Sequence, residues 1–587
     1  MNLSKINFVI ILILYGILFS GSTNSQTYTK ITDPDNPVVN EMLESGGGFW
    51  VDLNNDGWLD LFVANGNLTS QNNSLFINNR NGGFFKVQSG PVVTDGGSSI
   101  GGAFADYNND GKSDLFVTNR NFFKNFLYTG NGDSSFTKIM TGSIVNDSAN
   151  SNSGHWLDID RDGDLDLFIV NFQGNDFLYR NNGQPAFDFT KIDTASFLLD
   201  GNAFSINAVW SDFNNDRLPD LFIGNAGNQN DNLFMNNGNL TFNKTVIADG
   251  KSTLGGSWGD YNNDGNQDLF AANFLDQNNI LYRNSGPPLY ELTALNTGIV
   301  SNDGGSSVGS CWGDIDNDGD LDIFVCNDDL QNNFLYLNNG APDYDFTKIS
   351  AGSVVNDGGN SFGCVFGDYN NDGALDLFVA NRLNQKNFLY VNNSNSNNWI
   401  GIKCNGVISS KSAIGTKVRI KAQINGLPVW QLREIQSQSG YNSGNLILNF
   451  GLGNAAVIDS MKIEWLSGTT SVFTNLQVNR YITVSEDGNI TSVKDQSINP
   501  DFFELKQNYP NPFNPTTIIT YQCSSVSDVS LKVYDVLGNE LTTLVNETQS
   551  AGSYSVTFDG SNFPSGVFFY KLQAGESAET KRMVLLK

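Results

Sequence analysis

DIDNDGDLDIFV, Asp314–Val325, sets five aspartates within nine residues and then runs straight into an apolar strand. Like charges packed so closely repel one another unless a cation lies among them. Asp314, Asp316, Asp318 and Asp322 hold positions 1, 3, 5 and 9 of a D-x-D-x-D-G-x-x-D pattern, with Gly319 at position 6. A hard cation such as Ca²⁺ takes six to eight oxygens at roughly 2.3–2.6 Å, and alternate residues of a tight loop supply them. Asp320, at position 7, would add its backbone carbonyl. Gly319 permits the left-handed turn that wraps a loop round an ion.

The pattern recurs seven times, starting at Asp52, Asp106, Asp158, Asp212, Asp260, Asp314 and Asp368, at intervals of 54, 52, 54, 48, 54 and 54 residues. The other candidate ligands at positions 3, 5 and 9 are Asn54, Asp56 and Asp60, then Asn108, Asp110 and Asp114, then Asp160, Asp162 and Asp166. The remaining loops add Asn214, Asp216 and Asp220, then Asn262, Asp264 and Asp268, and last Asn370, Asp372 and Asp376. Asp, Asn and Gly also make ordinary turns, but a turn needs no oxygen ligand at four fixed positions. An EF-hand needs a bidentate Glu at position 12 and flanking helices. Here position 12 is Val63, Val117, Ile169, Ile223, Ala271, Val325 or Val379, inside short apolar runs of strand character. These are loops inside β-hairpins.

Each period reads alike. Around the sixth loop come strand CWGD, the loop itself, LDIFVCN, a polar DDLQNN, FLYLNNG and FTKI. Four short strands per repeat of about 54 residues is the signature of a propeller blade, and seven loops imply seven blades. FTKI is missing after the seventh FLY (Phe388–Tyr390), while a matching TYTKI stands at Thr27–Ile31. The N-terminal strand is therefore expected to complete the seventh blade and to bury both open edges. The expected fold class is all-β: a seven-bladed β-propeller over 26–395, a small β-domain over 397–487, a linker over 488–502 and a C-terminal Ig-like β-sandwich over 503–587.

A net charge of −28 argues against nucleic acid or anionic lipid as partners. The loops carry 23 aspartates at the four ligand positions, and seven calcium ions would offset half of the net charge. Lys5, the apolar run Ile6–Phe19 and the small polar residues behind it read as a secretory signal peptide over 1–25, leaving no transmembrane segment in the mature chain. Extracellular calcium suits loops of modest affinity. The five cysteines are scattered and form neither a disulfide framework nor a zinc site. Cys311 and Cys326 flank one loop and are placed to pair, although small buried thiols are the favoured reading.

At this point residues 27–393 resemble the FG-GAP/VCBS repeats of the integrin α-subunit propeller and its bacterial relatives. The resemblance implies calcium in the hairpin between the first and second strands of a blade, and carries metal roles onto positions 1, 3, 5 and 9. DFNNDRLPD departs, with Arg217 where the glycine belongs and Pro219 at position 8, so the Asp212 loop is expected to bind weakest. The loops at Asp158 and Asp314, with four carboxylates each, should fill first. Residues 397–487 resemble the ASPIC/UnbV domain, which brings no catalytic residues with it. Arg433, Glu434 and Tyr441 remain candidates without roles, read as sheet surface and turn. NYPNPFNP and the final KRMVLLK, within 503–587, resemble the type A C-terminal sorting domain of the type IX secretion system. That implies a diderm bacterium, the secretion machinery as a partner and a secreted or cell-surface product.

Nothing marks an enzyme. His155 falls in a column otherwise filled by Phe49, Ala103, Val209, Ser257, Cys311 and Val365, an inner-strand packing position. GGSWG (Gly255–Gly259) fits G-x-S-x-G but leads into an acidic loop, whereas a nucleophile elbow needs a strand–turn–helix setting. The expected function is protein or glycan binding or adhesion at the cell surface, the alternative being an enzyme acting on extracellular polysaccharide. The expected partner face lies away from the acidic loops, with Gln277, Asn278, Gln385 and Asn387 as contacts.

Overall fold

The computed structural model describes residues 28–492 and 504–587, apart from Leu68, 200–202, 394–396, Asn442, Tyr509, 524–526, 550–551 and Glu576. The signal segment 1–25 and most of the 488–502 linker lie outside the described residues.

Each repeat folds as a four-stranded antiparallel sheet, joined in the first repeat by a short parallel strand, Gly444–Asn445. In the repeat of DIDNDGDLDIFV the strands are Ser307–Gly313, Asp322–Asn327, Phe334–Asn338 and Phe346–Lys348, paired in that order. The second strand is buried along its whole length. That is why its sequence is a continuous apolar run and not an alternation. Each acidic loop joins the first strand to the second, as expected from the pattern.

Neighbouring sheets are held together by aromatic side chains at fixed places. Trp156 Nε1 donates to Ala103 O at 3.1 Å, Trp258 to Val209 O at 3.3 Å and Trp312 to Ser257 O at 3.3 Å. Position 2 of the loop supplies a ring that stacks on the tryptophan of the next sheet. Tyr107 lies 5.7 Å from Trp156 and Phe213 lies 5.5 Å from Trp258, each pair within 10° of parallel. The same pair recurs between Tyr369 and Trp50 at 5.7 Å, so the last repeat packs on the first. The arrangement is that of a β-propeller. Strand Tyr28–Lys30 pairs with Phe388–Asn392, placing Thr29 opposite Val391. The strand missing after the last FLY is thus supplied from the N-terminal side.

The same compact unit continues to Ser492. Its last part holds two four-stranded sheets, one containing Asn398–Asn405 parallel to Arg480–Ser485, the other built on Lys417–Ile424. Ile400, Ile420, Ile463 and Trp465 share one apolar core with Ala103 and Trp156 of the propeller. The unit from Val493 to Lys587 has its own core between a three-stranded and a four-stranded sheet, with Phe513, Tyr521, Leu531 and Tyr570 buried. Cys311, Cys326, Cys364 and Cys404 are unpaired buried thiols, which removes the Cys311–Cys326 disulfide and leaves the packing reading. No helix among the described residues is long and apolar enough to cross a membrane.

Closure by the N-terminal strand is testable. Tyr28 is buried, its ring packs edge-on against Tyr390, and its hydroxyl donates to Leu375 O at 2.9 Å. Tyr28→Ala is expected to lower stability by about 3 kcal/mol, and Tyr28→Phe by about 1 kcal/mol, both read from urea denaturation of the full chain.

Candidate metal centres

Six of the seven loops share one backbone scaffold. In the Asp314 loop, Asp318 N donates to Asp314 Oδ1 and Gly319 N to Asp314 Oδ2, both at 3.0 Å. The glycine N–H makes the same bond to Oδ2 of Asp52, Asp106, Asp158, Asp260 and Asp368. Gly319 has φ +104°, the left-handed turn anticipated from its place in the pattern. Position 9 ties the loop to its sheet: Asp322 Oδ2 accepts from Ile315 N and Oδ1 from Asn338 N, at 3.0 and 2.8 Å. Asp60, Asp114, Asp166, Asp220, Asp268, Asp322 and Asp376 are all buried.

The carboxylates converge where the pattern is richest. Among the described residues, Asp158, Asp160 and Asp166, and likewise Asp314, Asp316 and Asp322, bring oxygens within 4.8 Å of one another. Position 5 stands outside both groups. Its carboxylate turns back on the loop, as where Asp318 Oδ1 accepts from Asp320 N, or forms an ion pair, as Asp56 does with Arg80 at 2.6 Å. Among the loop aspartates, buried oxygens without a hydrogen-bond partner remain on Asp220, Asp268, Asp316 and Asp376. A hard divalent cation fits such an all-oxygen donor set.

Burial and neighbouring charge raise these carboxyl groups. Burial leads the effect at Asp158, Asp260 and Asp368, each pushed up to about 7, and at Asp106, pushed up to about 6. In the Asp314 loop burial and the mutual repulsion of the aspartates raise Asp314, Asp318 and Asp322.

What covers these loops comes from far along the chain. Gly451 N donates to Asp314 Oδ2 at 2.9 Å, Tyr481 Oη to Asp368 Oδ2 at 2.7 Å, and Lys411 N to Asn109 Oδ1 at 3.0 Å. Asp106 N donates to Ser412 Oγ at 2.8 Å, and Arg419 Nη1 to Gly265 O at 3.0 Å. Residues 398–492 therefore lie across the acidic-loop face. Arg433 and Glu434 end strand Leu427–Glu434 and Tyr441 lies in a turn, as read, but they are not free surface. Glu434 and Tyr441 bond to propeller residues, and the Arg433 charge acts on propeller aspartates. Glu434 accepts from Ser211 Oγ at 2.5 Å and from Asp212 N at 3.1 Å. Arg433 lies over the Phe450 ring and is among the charges acting on Asp314 and Asp260. Tyr441 packs among Ile100, Ile206, Val308 and Phe362, on the innermost strands, and its hydroxyl accepts from Arg120 Nη2 at 2.9 Å. Beside it, a Cβ on Gly440 would lie 1.9 Å from Ser310 O. The one visible signal was the glycine- and serine-rich stretch SQSGYNSG between two strands.

The amides expected to meet a partner are largely used within the fold. Gln277 Oε1 accepts from Ser252 N at 2.9 Å, Gln385 Oε1 from Asn360 N at 2.8 Å, and Asn387 Oδ1 from Asn381 N at 2.9 Å. The same bonds recur at Gln71, Gln331 and Asn333, so these side chains hold turns. His155 is buried with Nε2 3.0 Å from Ser153 Oγ, and burial pushes its ring down to about 3. Ser257 Oγ is buried 2.8 Å from Ser310 Oγ.

Sheets of four antiparallel strands, each with an acidic loop in its first hairpin, define a propeller of acidic-loop repeats. The chain belongs to the FG-GAP-like repeat family, which matches at 52–117, 106–169, 158–223, 212–271, 260–325 and 314–379, together more than half of its length. An ASPIC and UnbV domain matches at 406–491 and a secretion system C-terminal sorting domain at 507–586. The sorting domain marks the chain for type IX secretion, to the cell surface or the medium. No curated protein matches. Among solved structures, an Agrocybe aegerita lectin that recognises non-reducing terminal N-acetylglucosamine is 16% identical with a TM-score of 0.38, over 58% of this chain and 92% of the lectin. The extracellular domain of a hybrid two component system from B. thetaiotaomicron is 9% identical at TM-score 0.40, over 96% of this chain and 60% of that one. PorZ, a surface component of the Porphyromonas gingivalis type IX system, is 10% identical at TM-score 0.18, over 93% and 82%.

The raised carboxyl groups fix the sign of a pH effect. Between about pH 4, where an unfolded aspartate titrates, and pH 7, the folded metal-free chain holds more protons than the unfolded chain. Its stability therefore falls as pH rises through that window. In EGTA the melting temperature is expected to drop from pH 5 to pH 8. Calcium competes with the same protons, so its stabilising effect should be larger at pH 8.

Proposed function

We propose that the chain is a secreted seven-bladed propeller, stabilised by calcium in acidic loops that keep the glycine at position 6, that captures a protein at the cell surface. In this reading the ions are structural, held by positions 1, 3, 5 and 9, and the chain is a binding protein with no chemistry of its own. The sorting domain, an Ig-like sandwich in this reading, delivers it.

The observation that carries the reading is the division of labour between the two faces. Residues 398–492 cover the acidic-loop face, which leaves the opposite face for a partner. There, in the connections between second and third strands, Phe122, Leu275, Leu330 and Leu383 are 73%, 54%, 67% and 46% exposed. All four have φ near +60°. Single exposed apolar residues are ordinary. Each turn has two adjacent left-handed residues, and one of the two is apolar in all four, Leu275 and Leu383 at the first place and Phe122 and Leu330 at the second. In a conformation that costs an L-residue about 1 kcal/mol or more, they are a patterned surface. Leu275, Leu330 and Leu383 belong to three successive repeats. An apolar arc of this kind suits a protein partner better than the hydroxyls of a glycan.

Fluorescently labelled full chain should bind cells of the source culture, and treating those cells with protease should remove the binding. A Leu275→Asp, Leu330→Asp, Leu383→Asp variant is expected to bind about tenfold more weakly or less, with calcium uptake and melting unchanged. Unchanged binding by that variant, with loss after periodate oxidation of the cells, would instead identify a glycan.

A further inference from the structure

We propose that the Asp212 loop takes no metal ion because its cation is the chain's own Lys417 ammonium. The inference rests on the reading that the other loops bind calcium, and explains why this one departs.

The loop has lost the feature that shapes the rest. Arg217 stands where the others have glycine, at φ +71°, and Pro219 follows at position 8. Among the described residues, the position-6 N–H bond to Oδ2 of the first aspartate is found in the other six loops and not here. Lys417 Nζ takes that place. It donates to Asp212 Oδ2 at 3.0 Å, to Asn215 Oδ1 at 2.8 Å and to the Asp212 carbonyl oxygen. An ammonium has three donors, and these oxygens satisfy all three. The Lys417 and Asp212 side chains are only 4% and 6% exposed, so the pair is shielded from solvent. Of the four ligand positions Lys417 meets Asp212, and a divalent ion held on that carboxylate would lie against a buried positive charge.

The lysine is held there by its own sheet. Lys417 opens strand Lys417–Ile424 and faces Glu434 across the antiparallel pair with Leu427–Glu434. Glu434 grips the same loop through Asp212 N, while Arg419 Nη2 donates to Asn215 Oδ1 at 3.0 Å. One lysine, one arginine and one glutamate of the C-terminal domain thus close on a single loop. Asp314 and Asp368, by contrast, are hydrogen-bonded by neutral donors, Gly451 N and Tyr481 Oη, and Arg433 acts on Asp314 as a nearby charge.

Two measurements on the full chain test this. In EGTA, acetylation by an N-hydroxysuccinimide ester, mapped by mass spectrometry, is expected to modify Lys417 about tenfold or more slowly than the exposed Lys112. Equal rates would overturn the proposal whatever the calcium content. In calcium, metal analysis should show one ion fewer than the number of loops. Arg217→Gly alone should leave that count unchanged, and Arg217→Gly with Lys417→Met should raise it by one. A count that already includes this loop in the unmodified chain, or a rise with Arg217→Gly alone, would overturn it. A chain that binds no calcium while Lys417 stays protected would sink the calcium reading and leave the lysine as the loop's cation.

Discussion

A carboxylate taken out of water needs a counter-charge or a proton, and this chain buries one at the same point of every acidic loop. The position-9 aspartate of each hairpin is buried, and its oxygens accept backbone N–H groups that fix where the third strand ends. The fold therefore depends on aspartates that it cannot leave bare. Most of its electrostatics follows from that condition. The glycine N–H groups of the loops, the ions that the oxygen clusters suit, and the cationic side chains of residues 398–492 all serve to neutralise one ring of negative charge. The charge of −28 is in this sense less a property of the surface than of the hairpins.

The parts of the structure legible in the sequence were those written in local spacing. The loop pattern located each hairpin, and the continuous apolar runs behind it marked strands buried on both sides. Even the closing strand was visible, because TYTKI repeats a motif that the last repeat lacks. Contacts between distant segments left no such trace. Lys417 and Glu434 alternate with apolar neighbours as any exposed strand residues would, and nothing in that alternation tells which protein surface they face. Tyr441 looked like part of a turn because glycine and serine surround it. Those small residues are needed for a different reason, since the chain there passes within contact distance of the innermost strands. The amides of Gln277, Gln385 and Asn387 misled for the opposite reason: groups suited to bind a ligand are equally suited to brace a turn, and here they brace it.

Loss of the glycine at Arg217 illustrates how a repeat can tolerate decay. An array of equivalent loops lets one copy change provided that its charge is met from elsewhere, and Lys417 meets it from a neighbouring domain. The departure from the pattern and the domain contact are two sides of one adjustment. Neither is intelligible alone.

Pairing of Thr29 with Val391 has a consequence for the order in which the chain can assemble. The final sheet is a composite of the two ends of the propeller, so it cannot form until the whole propeller segment is present. Until then strand Phe388–Asn392 carries an unpaired edge, the kind of surface on which strands of other molecules add. Contacts so distant along the chain are also slow to find. Ring closure is therefore a late and cooperative event, and the interval before it is when the protein is most open to aggregation.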